Sequence, residues 1–479
     1  MLAPRTLSTQ PRRAGWLFSY DWDRIAMQAL QAQRRAHFDH AGFDLFSFPS
    51  NARLIGFDLE RFAERQAARG RRLGWRAVLS HHEQFGALAA ALVAEKLGLP
   101  GATPESICAA QHKLHARRVL QRVAPEVNLG FAGLDAHYGG DIPQGLTYPT
   151  FVKPVKAAFS VLARHIAHHA DLVRHTRFGH RELWVIRRLV EPFERICRAR
   201  LPEAGTAHRM LLEEPVPVRV AQYNLDGYVQ DGEVHAIGVV DAIMVPGTQA
   251  FMRWEHPSRL AATVQARALE VARRFLAAIG YRHGCFNLEF FHDAASDRLT
   301  VIECNPRLAS QFGDLYRRVS GCDAHAIALA LAFGDDAAAV PRCAPTAGAA
   351  ASLVYRTFEG EPIPPAPAAA AQAAFARRYP DALLFSQPKS GHGLARDFKW
   401  TGSHRYGIVH LGGRDREQLR ARAEAASAWL GWPAPFVDAA EPAHRPAPEP
   451  AHATYSHHPT RPGEARWATS RIDPIGVSD

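Results

Sequence analysis

Apolar and polar positions alternate with two different periods along the first hundred residues. GWLFSYD (15–21), FDLFSFP (43–49) and WRAVLS (75–80) are apolar runs of strand length. Between them lie segments with helical spacing. One runs on to Arg34, and another is DLERFAERQAARGRRLG (58–74), whose charged positions form a solvated face. FGALAAALVAEKLGLPG (85–101) reads as an apolar helix ended by Gly98 and Pro100. Strands alternating with helices predict a small parallel sheet over residues 1–105. Neither G-x-G-x-x-G nor G-x-x-x-x-G-K-[ST] occurs, so this sheet carries no dinucleotide fingerprint and no P-loop.

The pattern then changes. Residues 106–125 look helical and basic, and a Gly-rich connection (Gly130, Gly133, Gly139, Gly140, Gly145) leads to the strand YPTFVKPV (148–155). A His- and Arg-rich helical stretch extends to about Ala199, followed by the strand HRMLLEEPVPV (208–218). AQYNLDGYVQDGEVHAIGVVDAI (221–243) has Asp231-Gly232 between alternating apolar positions, a strong hairpin signal. A helix at about 258–279 precedes CFNLEFF (285–291) and LTVIECNPR (299–307), two strand-length runs joined by HDAASDR. Strands at 348–358 and 405–413 with a helix at 415–430 predict a C-terminal lobe. Residues 438–479 contain seven prolines and few aliphatics, which predicts a disordered tail.

Composition narrows the class. With 479 residues, 47% hydrophobic and 22% charged, the chain is long enough for several domains and ordinary for a globular protein. No run approaches 18 apolar residues, and the N-terminus lacks a signal-peptide core, so a cytoplasmic location with no membrane partner is expected. The six cysteines are far apart without C-x-x-C spacing and read as reduced thiols. A net charge of +10 favours polyanions. The arginines are nevertheless dispersed and no aromatic-rich basic motif occurs, which disfavours nucleic acid.

The sharpest chemistry lies in the 285–307 hairpin. In a strand every second side chain faces the same way. Asn287 and Glu289 therefore share one face, Glu303, Asn305 and Arg307 share another, and the loop brings Glu289 opposite or diagonal to Glu303. Two carboxylates and an amide oxygen on apolar strands need positive compensation, for which Mg²⁺ bridging phosphates (or Mn²⁺) is suited. Arg307 would sit where charge builds up on a transferring phosphoryl group. A salt-bridged hairpin without function is the plain alternative.

Lys153 lies late in an apolar strand before Pro154 and the small-residue loop KAAFSVLA; it fits a phosphate lysine, or else an edge residue. Lys113, at the start of a helix, has a solvated face as its alternative reading. LLEEPVPV ends a strand at Glu213 and Glu214. Its exposed backbone can hydrogen-bond an adenine while a carboxylate accepts from ribose hydroxyls, unless both are simply solvated. His165 and His169, at i and i+4 on an expected helix, have the spacing of a transition-metal pair, with a solvated face as the favoured reading. Arg253, Trp254 and His256, with Arg405 and Tyr406, are candidate substrate contacts on the strength of the family resemblance given next.

The order helix lysine, strand lysine, LLEEPV, paired-strand Glu, then E-x-N-x-R resembles the ATP-grasp superfamily, which includes biotin carboxylase, D-alanine–D-alanine ligase and L-amino-acid ligases. IECNPR and FNLEFF carry the resemblance most specifically, and it covers about residues 15–335. It implies an α/β and α+β architecture. A Rossmann-like domain (1–105) precedes an ATP-grasp body (106–335) whose smaller nucleotide-gripping part spans about 145–218. An α+β lobe (336–437) and the tail follow. It also implies ATP with Mg²⁺, and a carboxylate activated as an acylphosphate for attack by an amine or similar nucleophile. Lys113 and Lys153 become the phosphate lysines and Glu214 to Val216 the adenine–ribose hinge. Glu289, Glu303 and Asn305 become the metal ligands, and Arg307 steadies the acylphosphate. The partners implied are a small carboxylate and an amine, with a homodimer left open. One departure stands out: the loop Lys156-Ala157-Ala158-Phe159-Ser160 has no glycine, so Lys156 or Ser160 must compensate or γ-phosphate contact is weakened. That loop motivates one alternative, an ATP-binding regulatory or scaffold protein, and a biotin-carboxylase-like enzyme is another.

Overall fold

The computed structural model describes residues 11–45, 50–137, 141–158 and 160–436. The tail at 438–479 and Phe159 lie outside them. The first module alternates β1 (Arg12–Leu17), α1 (Asp21–Ala32), β2 (Ala36–Ala41), α2 (Leu59–Leu73), β3 (Ala77–Leu79) and α3 (Gly86–Leu97). Its three strands form a parallel sheet of order β2-β1-β3. Local chemistry fixes α2 at both ends. Asp58 accepts the Arg61 N–H, and Gly74 closes the helix in the left-handed region. One strand is not where the apolar pattern put it. The second strand is AHFDHA (36–41), and Phe43 is in a loop, packing its ring 5.4 Å from that of Phe18; residues 46–49 lie outside the described residues. As an edge strand, β2 is only half-buried, so its alternation is mostly polar and the aromatic loop beside it imitates a strand better.

The second module has α4 (Pro104–Gln111) and α5 (Lys113–Val123), then β4 (Phe131–His137), β5 (Thr150–Pro154) and β6 (Arg164–Ile166). α6 (His169–Thr176), α7 (His180–Arg200) and β7 (Arg209–Glu213) complete it. Its antiparallel sheet has the order β4-β7-β5-β6. The basic helix at 106–125 is in fact two helices. They meet at His112, whose Nδ1 accepts the His115 N–H at 3.1 Å. The Gly-rich connection contains β4, so this sheet starts at Phe131, upstream of 145. His165 lies in β6 and His169 opens α6, so they are not an i, i+4 pair on one helix.

The third module is built on an eight-stranded antiparallel sheet. Its strands are β8 (Ala221–Gln230), β9 (Glu233–Met244), β10 (Phe251–His256), β11 (Gly284–Asp293), β12 (Arg298–Asn305), β13 (Ala349–Thr357), β14 (Leu383–Ser386) and β15 (His404–Gly413). They run in the order β12-β11-β8-β9-β10-β13-β15-β14. The helices are α8 (Ala262–Ala278), α9 (Gly313–Ser320), α10 (Ala324–Phe333), α11 (Ala369–Arg378), α12 (Gly391–Thr401) and α13 (Arg416–Leu430). The strands expected to form a separate C-terminal lobe extend this sheet through the β10–β13 pairing. Ala350 and Val354 of β13 share a core with Leu315 and Tyr316 of α9.

Asp231 (φ 53°) and Gly232 (φ 94°) make the β8–β9 turn with two positive φ angles, the backbone that a two-residue hairpin requires. A Cβ on Gly232 would stand 3.2 Å from the Arg282 guanidinium. Gly232→Ala should therefore cost about 1–2 kcal/mol, seen as a lower thermal midpoint with the same far-UV spectrum. Five cysteines are buried and Cys343 is exposed, all as free thiols. Among the described residues no helix is long and apolar enough to cross a membrane.

Candidate functional site

β11 and β12 pair Asn287 with Asn305 and Glu289 with Glu303. Directly opposed residues of an antiparallel pair share a face, so these four side chains lie on one face rather than two converging ones. β8 widens the stripe, pairing Asn224 with Glu289 and Asp226 with Asn287. An amide network holds it together. Asn305 Nδ2 donates to Glu289 Oε1 at 3.2 Å, and Gln222 Nε2 donates to Glu289 Oε2 at 3.3 Å. Asn224 Nδ2 donates to Asn287 Oδ1, and Asn287 Nδ2 to Asp226 Oδ1, both at 3.3 Å. Asp226 is anchored further by the Ala309 N–H (2.9 Å) and the Tyr316 hydroxyl (2.7 Å).

The two facing acids behave oppositely. Burial raises the Glu289 carboxyl, and the charge of Glu303 raises it further. Burial also opposes ionisation of Glu303, but Lys113 and then Lys153 outweigh it and hold that carboxyl well below the usual range. Lys113 Nζ lies 3.2 Å from Glu303 Oε2 and donates to the Ala157 carbonyl at 2.9 Å. The cations on the hairpin thus favour the ionised form of Glu303 more than that of Glu289. Asn224 Oδ1, buried and without a hydrogen-bond partner, adds an unused hard donor beside them. Two carboxylates and amide oxygens are the donor set that Mg²⁺ or Mn²⁺ accepts, so Glu289, Glu303 and Asn305 fit such an ion.

Lys153, on β5, approaches the same hairpin from the small sheet. Its Nζ lies 2.9 Å from Glu213 Oε2 and 3.4 Å from the Ile302 carbonyl. Glu213 is 2% exposed and also receives Arg117 Nε at 2.6 Å. This corrects the reading of Glu213 as a ribose ligand, because both its oxygens are taken by buried cations. Glu214 and Val216 are half-buried just beyond β7. The Glu214 N–H donates to the Gly130 carbonyl at 2.8 Å.

Lys156 is corrected likewise. Its Nζ is turned into the interior, donating to Gln111 Oε1 at 2.8 Å and the Glu83 carbonyl at 3.2 Å, with the Phe193 ring 4.9 Å away. Burial pushes it down to about 8. Ser160 is exposed, with φ 53°. The loop between them and β6 leans on α12, where the Leu162 N–H donates to the Trp400 carbonyl at 2.8 Å.

Arg307 reaches the site just after β12, its Nε 2.8 Å from Glu83 Oε2. The sequence reading missed Glu83, together with Tyr20, whose ring stacks on His82 at 5.1 Å. A signal existed. Tyr20 and the Ser80-His81-His82-Glu83-Gln84 run follow the carboxyl ends of β1 and β3, the edge of a parallel sheet where ligands bind. Arg117, Gln222, Asn224 and Asp226 were missed as well. The weaker candidates disperse. Arg253 pairs with Glu255 at 2.7 Å, Trp254 is core, and His256 Nδ1 meets the Val239 carbonyl at 2.8 Å. Tyr406 packs on Trp432, also in the core.

No protein-family model matches the chain, and no curated protein matches it in sequence. Solved structures do match it in fold. An L-amino acid ligase from Bacillus licheniformis superposes with a TM-score of 0.61 at 13% identity, covering 88% of this chain and 98% of that one. A carboxyaminoimidazole ribonucleotide synthase from Aspergillus clavatus, complexed with ATP, gives 0.57 at 16% identity, covering 88% and 98%. A biotin carboxylase from Campylobacter jejuni, in a β-γ-ATP complex, gives 0.55 at 15% identity, covering 87% and 90%.

Proposed function

The chain has the ATP-grasp fold, and from it we propose that the protein is an ATP-dependent ligase that activates a small carboxylic acid as an acylphosphate. A carboxylate oxygen attacks the γ-phosphorus, the bond to the β-phosphate oxygen breaks, and ADP leaves with that electron pair. An amine or similar nucleophile then attacks the acyl carbon, and inorganic phosphate departs. The observation that carries this reading is the facing pair Glu289–Glu303 with Lys113 and Lys153 converging on it from two other elements.

The roles follow from position. Glu289, Glu303 and Asn305 would hold the Mg²⁺, which would supply Lewis-acid charge to the phosphates. Lys113 and Lys153 neutralise the polyphosphate, and the backbone from Glu214 to Val216 meets the base. Glu83 pairs with Arg307 at Nε, which leaves the Nη end of the guanidinium for the substrate. That end steadies the substrate carboxylate. Positioning and charge neutralisation provide most of the rate in such transfers.

Purified protein incubated with Mg-ATP and pooled acids and amines should release ADP and phosphate only when both pools are present. Release of AMP and pyrophosphate would remove the acylphosphate route. The inward turn of Lys156 favours a second reading, ATP binding without efficient turnover. Tight calorimetric binding of Mg-ATP with no product across the pool would select it.

A further inference from the structure

β13 and β15 are antiparallel neighbours, and their register slips by one residue at Tyr406, so that Arg405 stands directly across from Arg356. Opposed positions of this kind place Cβ atoms about 5 Å apart, where like charges repel. Neither guanidinium meets a carboxylate among the described residues. Arg356 Nε donates to the Phe251 carbonyl at 2.8 Å and its Nη1 to the Ser403 hydroxyl at 3.1 Å. Arg405 donates twice to one oxygen, Gln387 Oε1, at 3.1 and 2.9 Å. All of these acceptors are neutral. Asp397, within electrostatic reach of both arginines, is already matched by Lys389 and His404, each at 2.9 Å.

Four other arginines of the protein are treated differently. Arg117 has Glu213, Arg307 has Glu83, Arg253 has Glu255 and Arg318 has Asp314. Burial, with Arg405 beside it, pushes the Arg356 guanidinium down to about 9 against the opposing charge of Asp397. The pair is also linked to the candidate site through the α1 N-terminus. Tyr20 lies within electrostatic reach of Arg307 on one side and of Arg405 on the other. Trp22, two residues on, donates to Ser310 at 2.8 Å and packs edge-on against Phe385 of β14.

We propose that Arg356 and Arg405 form an anion subsite for a second negatively charged group of the substrate, remote from the carboxylate held at Arg307. The substrate class is therefore a small acid bearing an additional carboxylate or phosphate, and this rests on the ligase reading above. Two planar guanidinium forks with unused N–H groups suit the planar or tetrahedral oxygens of such an anion.

The test compares the full chain with its R356Q/R405Q variant. Thermal melts are recorded in chloride, in inorganic phosphate and in a series of dicarboxylates from malonate to adipate, all at equal ionic strength. Phosphate or one of the dicarboxylates should raise the wild-type midpoint by several degrees over chloride, and the variant should respond no more than it does to chloride. A response to phosphate alone assigns a phosphorylated acid, and a response to dicarboxylates alone a di-acid. In chloride the variant should melt at or above the wild type, whereas arginines with a purely structural role would lower it. Equal stabilisation of both proteins by every anion, or no stabilisation of the wild type, overturns the subsite. Calorimetric Mg-ATP affinity should be the same in both proteins. If the wild type binds no Mg-ATP, the ligase reading falls while the melts still decide the anion subsite.

Discussion

Glu303→Gln should lower ADP release about a thousandfold, in line with the loss of one charge-stabilising group from a water-excluded site, while leaving the fold intact. Glu303 is the one acid of the facing pair that two lysines keep ionised, so the amide removes both a metal charge and the partner of Lys113. Lys113 retains its hydrogen bond to the Ala157 carbonyl, and no apolar contact is lost. The far-UV spectrum and the thermal midpoint should therefore change little compared with activity. Glu289→Gln provides the contrast. Burial and the charge of Glu303 raise the Glu289 carboxyl, so without a divalent ion the amide replaces an acid that is costly to ionise. That variant should melt at or above the wild type in chelator and fail to gain the wild type's stabilisation by Mg-ATP. Full ADP release by Glu303→Gln, or equal Mg-ATP stabilisation of both variants and the wild type, would refute the placement of the ion on this hairpin.

The hairpin was legible because everything that defines it is local. Two period-2 apolar runs, a short polar connection, and an acid and an amide spaced by two on each run place Glu289 and Glu303 across from one another once the strands pair. Lys113 and Lys153 were legible only through their order along the chain, since neither helix nor strand periodicity says where a long side chain ends. The direction of Glu213 was not legible at all. It depends on Arg117, 96 residues earlier, entering from α5. Lys156 likewise turns inward because Gln111 and the Glu83 carbonyl are there to receive it. The joining of β13 to β10 is a pairing between strands about a hundred residues apart, and local pattern gives no sign of such a partner. The strand misplaced at 43–49 failed for the opposite reason: a local signal was present, and it came from a cluster of aromatic rings in a loop.

Arg117→Met should destabilise the protein by about 3–5 kcal/mol, the range for breaking one side of a buried ion pair. Arg117 is 2% exposed, and its guanidinium serves four acceptors at once. Nε donates to Glu213 Oε1 at 2.6 Å, and Nη1 to Asn128 Oδ1 at 3.0 Å and the Val301 carbonyl at 2.7 Å. Nη2 donates to the Ile302 carbonyl at 3.0 Å. Those carbonyls lie at the irregularity in the β11–β12 register, where Glu289 still pairs with Glu303 but Phe290 pairs with Val301. A bulge redirects the side chains around it, and Arg117 ties this one to the small sheet through Glu213, alongside the longer contact of Lys153 with the Ile302 carbonyl. Methionine fills the volume but leaves the Glu213 carboxylate buried with Lys153 as its one remaining cation. The denaturant midpoint should fall accordingly. Under native conditions the KM for ATP should rise more than kcat falls, because Lys153 and Glu303 lose their common brace while the reacting groups remain. Arg117→Lys keeps the charge but not the fork, and should recover only part of both losses. A midpoint within about 1 kcal/mol of wild type with an unchanged KM for ATP would show that the brace between the two sheets is formed elsewhere.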